Sequence, residues 1–173
     1  MRLVFGITAL IGFILALIVH VSALLGVDVA ARFHGVWFLH AALFVVFIPF
    51  VIFARRDFGA QPSLIQIGAA LPRWVVAIGL IIFVYAVVNF LIFMAGTEGG
   101  SPSIRDGKYL LLEHGKLIRE LTASEYWALQ TNVVRGFSGH WLVLFFVPAA
   151  YFLGKKSNRS FEADGFVAAE FKS

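Results

Sequence analysis

An all-α integral membrane protein with four transmembrane helices is the fold class this sequence predicts, with a small extracytoplasmic β-hairpin and an amphipathic helix between the third and fourth. Three observations predict it. Of 173 residues, 60% are hydrophobic, 19 of them Phe, and the mean hydropathy of +0.88 lies outside the range of soluble domains. Four apolar stretches are long enough, or nearly so, to cross about 30 Å of hydrocarbon as helix, which takes about 20 residues. The basic residues gather at the ends of these stretches, where they report orientation.

The stretches cover residues 3–25, 36–54, 74–95 and 137–154, and none contains Asp, Glu, Lys or Arg between its ends. The first also has the outline of a signal peptide, with Arg2 as its basic start and Val21, Ser22 and Ala23 as a small-residue cleavage site. Its apolar run exceeds the usual length, which favours an uncleaved helix. In the second, Pro49 should kink the helix. Phe44, Phe47, Phe50 and Phe53 there read as a packing or lipid-facing ridge rather than an aromatic cofactor box. Arg2, Arg55, Arg56 and Arg73, then Lys155, Lys156 and Arg159, fall on one side, and Arg32 alone marks the short first loop on the other. This pattern predicts a multi-pass protein of the cell inner membrane with both termini cytoplasmic.

The parts are therefore expected to be residues 1–95 with helices one to three, an extracytoplasmic module over 96–136, the fourth helix over 137–154 and a cytoplasmic tail over 155–173. Between spans two and three, a short interfacial segment is expected around residues 64–71. The 96–136 loop carries five basic and five acidic residues, so it can be exported without opposing the assignment. Its start, TEGGSPS at 97–103, reads as a flexible lead-in. KYLLLEHGKLIRELT at 108–122 predicts two strands around His114-Gly115, a connection suited to a hairpin if Gly takes positive φ. A hairpin alone is marginal in water and needs support. Thr122 and Glu125 have capping-box spacing for a helix from Ala123 to about Val134. Its face of Tyr126, Trp127, Gln130 and Val134 should meet the hairpin or the headgroups. Gly136 and Gly139 allow a bend or close packing before the fourth span, and Ser138 is expected to cap its start.

Several chemistries are excluded or disfavoured. Without Cys there is no disulfide, thiolate metal site or c-type haem attachment. The charge of +4 is spread over segment ends rather than gathered on one face, so nucleic acid is not an expected partner. The glycines at 96, 99 and 100 lack a P-loop lysine. No carboxylate lies inside the four stretches to carry protons, and no inverted repeat is visible. Ser138 and His140 are two apart and do not face each other on a helix, so they make a poor nucleophile and base.

One constellation remains. His20, His40 and His140 lie at similar depths, roughly 6–8 Å inside one boundary at 1.5 Å per residue, with Tyr85 and Asn89 in the same half of the third span. Neutral imidazole binds zinc, copper or haem iron, so three rings at one level are a site for a metal or for at most one haem b. Tyr85 and Asn89 would support a ring or bind a quinone carbonyl, or simply join helices. The structural alternative, histidines hydrated at an interface or bonded to a neighbouring helix, is the simpler one.

The run EHGKLIRELTASEYWALQTNVVRGFSGHW resembles a segment of small, uncharacterised multi-pass proteins of bacteria with a hairpin and helix between the last two spans. The resemblance covers part of the loop and the start of span four. It implies a bacterial inner-membrane location and an ordered outer domain, and it carries no activity. Two functions are therefore expected to compete. The first is a noncatalytic accessory or interaction protein that meets other membrane proteins or its own copies in the bilayer. The second is a haem- or metal-binding redox protein, linked to quinol, that uses the three histidines.

Overall fold

A computed structural model describes residues 1–154; the expected tail, with Lys155, Lys156, Arg159, Phe161, Phe166 and Phe171, lies outside the described residues. The chain begins with α1 (Arg2–Leu24) and a short α2 (Val29–Arg32), whose first turn is closed by Asp28 accepting from Ala31 N–H at 3.0 Å. A 3-10 turn (His34–Trp37) leads into α3 (Phe38–Phe58). The short α4 (Leu64–Ala69) opens with a reciprocal capping box between Ser63 and Gln66. Next come α5 (Arg73–Ala95), the strands β1 (Ser101–Arg105), β2 (Lys108–Glu113) and β3 (Lys116–Glu120), and α6 (Ala123–Gly154). Helices α1, α5, α6 and the stretch His34–Phe58 are each long and apolar enough to cross a membrane.

Helix α6 is central: α1, α3 and α5 all pack against it. Between helices apolar enough to cross a membrane, contact is expected where small residues let the backbones approach. On α1 that face is Gly6, Ala9, Gly12, Ala16 and Ala23, all buried. Into it α6 sets Trp141, Leu142, Phe145 and Ala149, which with α1 and α3 residues such as Leu43 and Val46 form the main core. A second cluster at the far end joins Phe50 and Ala54 of α3 to Tyr151 of α6, and Phe50 and Tyr151 meet edge to face at 5.2 Å.

At the other end the antiparallel sheet β1-β2-β3 is built on two tight turns. Asp106-Gly107 and His114-Gly115 have positive φ at both residues, the backbone that two-residue hairpin loops require. Leu111 and Leu121 pack on Tyr126 and Leu129 of α6, which supplies the support the hairpin needs. Thr122 and Glu125 cap α6 reciprocally: Glu125 Oε2 accepts from Thr122 N–H at 2.7 Å, and Thr122 Oγ1 accepts from Glu125 N–H at 3.3 Å. Arg119 bridges Glu98 and Glu125, both at 2.8 Å.

The hairpin and the capping box agree with the sequence reading, and the segment expected around residues 64–71 contains the short helix α4. Other expectations are corrected. The lead-in is a loop only over residues 97–100, because Ser101, Pro102 and Ser103 pair with Leu112, Leu111 and Leu110 as an edge strand. Backbone bonds hold that pairing, and an edge strand tolerates Pro, so a polar composition did not reveal it. The amphipathic helix and fourth span are one uninterrupted helix of 32 residues. Gly136 and Gly139 serve close packing rather than a bend, since a Cβ at 136 would overlap the Phe93 ring. Ser138 therefore sits mid-helix and caps nothing. Trp127 is exposed, and Leu129 takes its place on the buried face. Helix α3, with Pro49 inside it, runs past Ala54, so Arg55, Arg56 and Asp57 form its last turn instead of opening a loop.

Two predictions follow from packing and capping. A Cβ at Gly12 would overlap the ring of Phe145, itself buried, whereas one at Gly68 would have its nearest neighbour, Val76, at 4.0 Å. Gly12→Ala should destabilise the bundle by about 1–3 kcal/mol, and Gly68→Ala should be neutral or stabilising; denaturant titration in micelles measures both. At the sheet, the Glu125 carboxyl is lowered from 4.5 to about 2 by the Thr122 N–H, then the Thr122 hydroxyl, then Arg119. The stabilisation from that carboxylate is complete above pH 4.5 and is lost as pH falls toward 2. In Glu125→Gln that acid-dependent part of the loss should disappear, as read by amide exchange in the strands.

Candidate functional site

The polar centre of the bundle is assembled by α1, α5 and α6 around His20, which is only 2% exposed. Its Nδ1 lies 2.9 Å from Ser138 Oγ. Ser138 has one proton, and its oxygen lies 2.7 Å from the carbonyl of Val134 and 3.2 Å from that of Arg135. A hydroxyl that donates to a carbonyl must accept from the ring, so His20 carries its proton on Nδ1. The lone pair on Nε2 then accepts from the Tyr85 hydroxyl, and the two rings meet edge to face at 5.4 Å. Asn89, one turn further along α5, donates to the Arg135 carbonyl at 3.2 Å. Gly139 makes this possible, since a Cβ there would collide with the Asn89 amide and lie 3.5 Å from His20 Cε1.

Of the five residues singled out from the sequence, the fold brings His20, Tyr85 and Asn89 together and sends His40 and His140 elsewhere. His40 Nδ1 accepts from the Trp141 indole at 3.1 Å, which places the proton of the neutral ring on Nε2. Trp37 and Phe137 complete that aromatic cluster. His140 donates from Nδ1 to the Gly136 carbonyl at 2.8 Å and packs edge to face on Phe90 at 5.2 Å. Among the described residues, no group of three His, Asp or Glu side chains is placed to hold a metal. A metal on all three histidines would have to displace Ser138 or Tyr85 from His20. At His40 it would have to displace the indole or change the tautomer.

Four features escaped the sequence reading. Ser138 is the partner of His20, and Trp141 is the partner of His40. At the far end, Asp57 accepts from Arg2 at 2.7 Å and from the Tyr151 hydroxyl at 2.5 Å, tying α1, α3 and α6. At the sheet end, a cleft of about 650 Å³ separates the loop around Asp28 and Arg32 from Ser124, Trp127 and Thr131 of α6. The sequence held one signal that was not read, the regular spacing of Gly6, Ala9, Gly12 and Ala16 on α1. The rest depends on which helices are neighbours.

Comparison with known proteins returns no match: no family model, no curated protein and no solved structure is similar to the chain.

The network makes testable statements. Nitrogen NMR should find His20 and His140 as Nδ1–H tautomers and His40 as the Nε2–H tautomer. Ser138→Ala leaves the buried His20 donor without its acceptor and should cost about 1–3 kcal/mol. Unfolding of Ser138→Ala, His20→Leu and the double variant should show coupling, with the second substitution costing less once the first is made.

Proposed function

We propose that this chain is a noncatalytic accessory or interaction protein of the bacterial inner membrane, meeting a membrane-protein partner or another copy of itself. Its termini are cytoplasmic in this reading, and its sheet is extracytoplasmic. The observation that carries the reading is mechanical: one helix, α6, is both the centre of the bundle and the platform of the sheet. A connector between two spans needs no such mounting, no small core of its own and no clamp like Glu98–Arg119–Glu125. A module held in fixed relation to the bundle suits a surface that is read by something else.

Charge supports the orientation. The end away from the sheet has Arg2, Arg55, Arg56 and Arg73 against Asp57, while residues 26–37 and 96–136 together hold six basic and six acidic side chains. The positive end belongs inside. On the sheet, Ile104 and Leu117 are more than half exposed, at 51% and 58%, and offer apolar contact beside charged neighbours.

A photo-crosslinking amino acid at Ile104 or Leu117 should give discrete adducts of defined mass in cells, while the same probe at Phe44 on α3 gives none. Absence of adducts from both sheet positions would overturn the proposal. Stoichiometric haem, copper or zinc on the purified protein, lost when His20, His40 and His140 are replaced together, would support the redox reading in its place.

A further inference from the structure

The three histidines differ in what their second nitrogen does. His20 uses both nitrogens inside the bundle, and His40 has its Nδ1 lone pair taken by the indole of Trp141. His140 alone of the three combines a committed Nδ1–H with an Nε2 that has no protein partner among the described residues. In the neutral ring that nitrogen is an acceptor, and Gly136 prevents the tautomer change that would make it a donor. The edge-to-face contact with Phe90 fixes the plane of the ring as well.

The surroundings are apolar. His140 stands at one end of a groove of about 220 Å³ between α5 and α6, lined by Phe83, Ala86, Val87, Phe90, Val143 and Leu144. The α5 positions recur at i, i+3, i+4 and i+7, so the groove follows one helix face for seven residues, about 10 Å at 1.5 Å per residue. Its volume is below the roughly 300–1,000 Å³ of sites that enclose a whole drug-sized ligand. It suits one ring, with any tail continuing along the helices. His140 is exposed on the bundle, so with the groove facing hydrocarbon its free acceptor favours an occupant that brings a donor, because an unmade hydrogen bond in such surroundings is costly.

We infer that this groove binds a lipid-soluble hydroquinone, whose phenolic hydroxyl donates to His140 Nε2 while its ring lies against Phe83, Phe90 and Val87. The inference rests on the reading that α5 and α6 lie in a membrane. Phosphate brings only acceptors, and the donors of an ethanolamine or glycerol headgroup are charged or strongly hydrated, so neither places an uncharged donor beside Phe83, Val87 and Phe90 in this apolar groove. The oxidised quinone has carbonyls in place of the hydroxyls and loses the bond. The site therefore distinguishes the two redox forms of one molecule by binding, without an electron transfer being required of this chain.

The test uses the full-length protein in phosphatidylcholine nanodiscs under anaerobic conditions, with a decyl-chain benzoquinol and the matching benzoquinone as probes and empty discs as the partition control. The quinol should bind at least tenfold more tightly than the quinone. His140→Phe, which removes the acceptor, and Val87→Trp, which fills the groove and leaves His140 in place, should each weaken quinol binding at least tenfold. Val45→Trp, exposed on α3 away from the groove, should leave it unchanged. Equal binding of both forms, or no effect of His140→Phe, would overturn the site. So would a Val87→Cys disulfide dimer in discs holding two copies, which would give the groove to a second copy. Failure of the wild-type chain to enter discs would overturn the membrane reading and this site with it, a result separable from weak binding.

Discussion

The bundle depends on the close approach of α1 to α6. Gly6, Ala9, Gly12, Ala16 and Ala23 strip one face of α1 to its backbone, and Trp141 and Phe145 fill the space that this leaves. Were the bundle in a membrane, such contact would be what holds its helices together, since burying an aliphatic surface against another gains little over lipid. The buried position of His20 follows from the same approach. A ring on the contact face reaches Ser138 on α6 and, past it, Tyr85 on α5. A bulkier α1 would hold the three helices too far apart for those bonds to close.

Polar groups are placed at three levels, each with a different partner chemistry. The Arg2–Asp57–Tyr151 tie closes one end with charge-assisted bonds, where three helices converge. The His20 network occupies the half nearer the sheet and is neutral in its bonding, each donor meeting an acceptor. The sheet is clamped by ion pairs among exposed side chains, whose worth is in orientation more than in strength. The apolar lengths between these levels are left to packing, and α5, the least buried of the four long helices, has the most surface for lipid or a partner.

Much of this was legible in the sequence because it is local. Four runs without charge give four helices, and Thr122 with Glu125, or His114 with Gly115, contain their own geometry. What escaped notice either spans distant positions or is carried by backbone. The pairing of Ser101–Arg105 is a backbone property that the polar side chains of the segment conceal. The joining of the loop helix to the last span was hidden by Gly136 and Gly139, which suit a bend as well as close packing and prove to be contact points for α5. Similar depth brought His20, His40 and His140 together on paper. Depth is one coordinate, and helix rotation, which a sequence does not state, turns the three rings toward Ser138, Trp141 and the α5 groove. The Gly and Ala repeat on α1 was visible throughout; its regular spacing was the available signal for which face of α1 is covered.

The continuity of α6 has a mechanical consequence. At 1.5 Å per residue its 32 residues form a rod about 48 Å long, gripped along its lower part by three helices and bearing the sheet at its free end. Such a rod is a lever. A change in its tilt, or a turn about its own axis, appears at the strands as displacement of the whole module, because no flexible joint between residues 136 and 140 absorbs it. Whatever presses on the bundle from the side is felt at the sheet, and whatever grips the sheet exerts torque on the bundle.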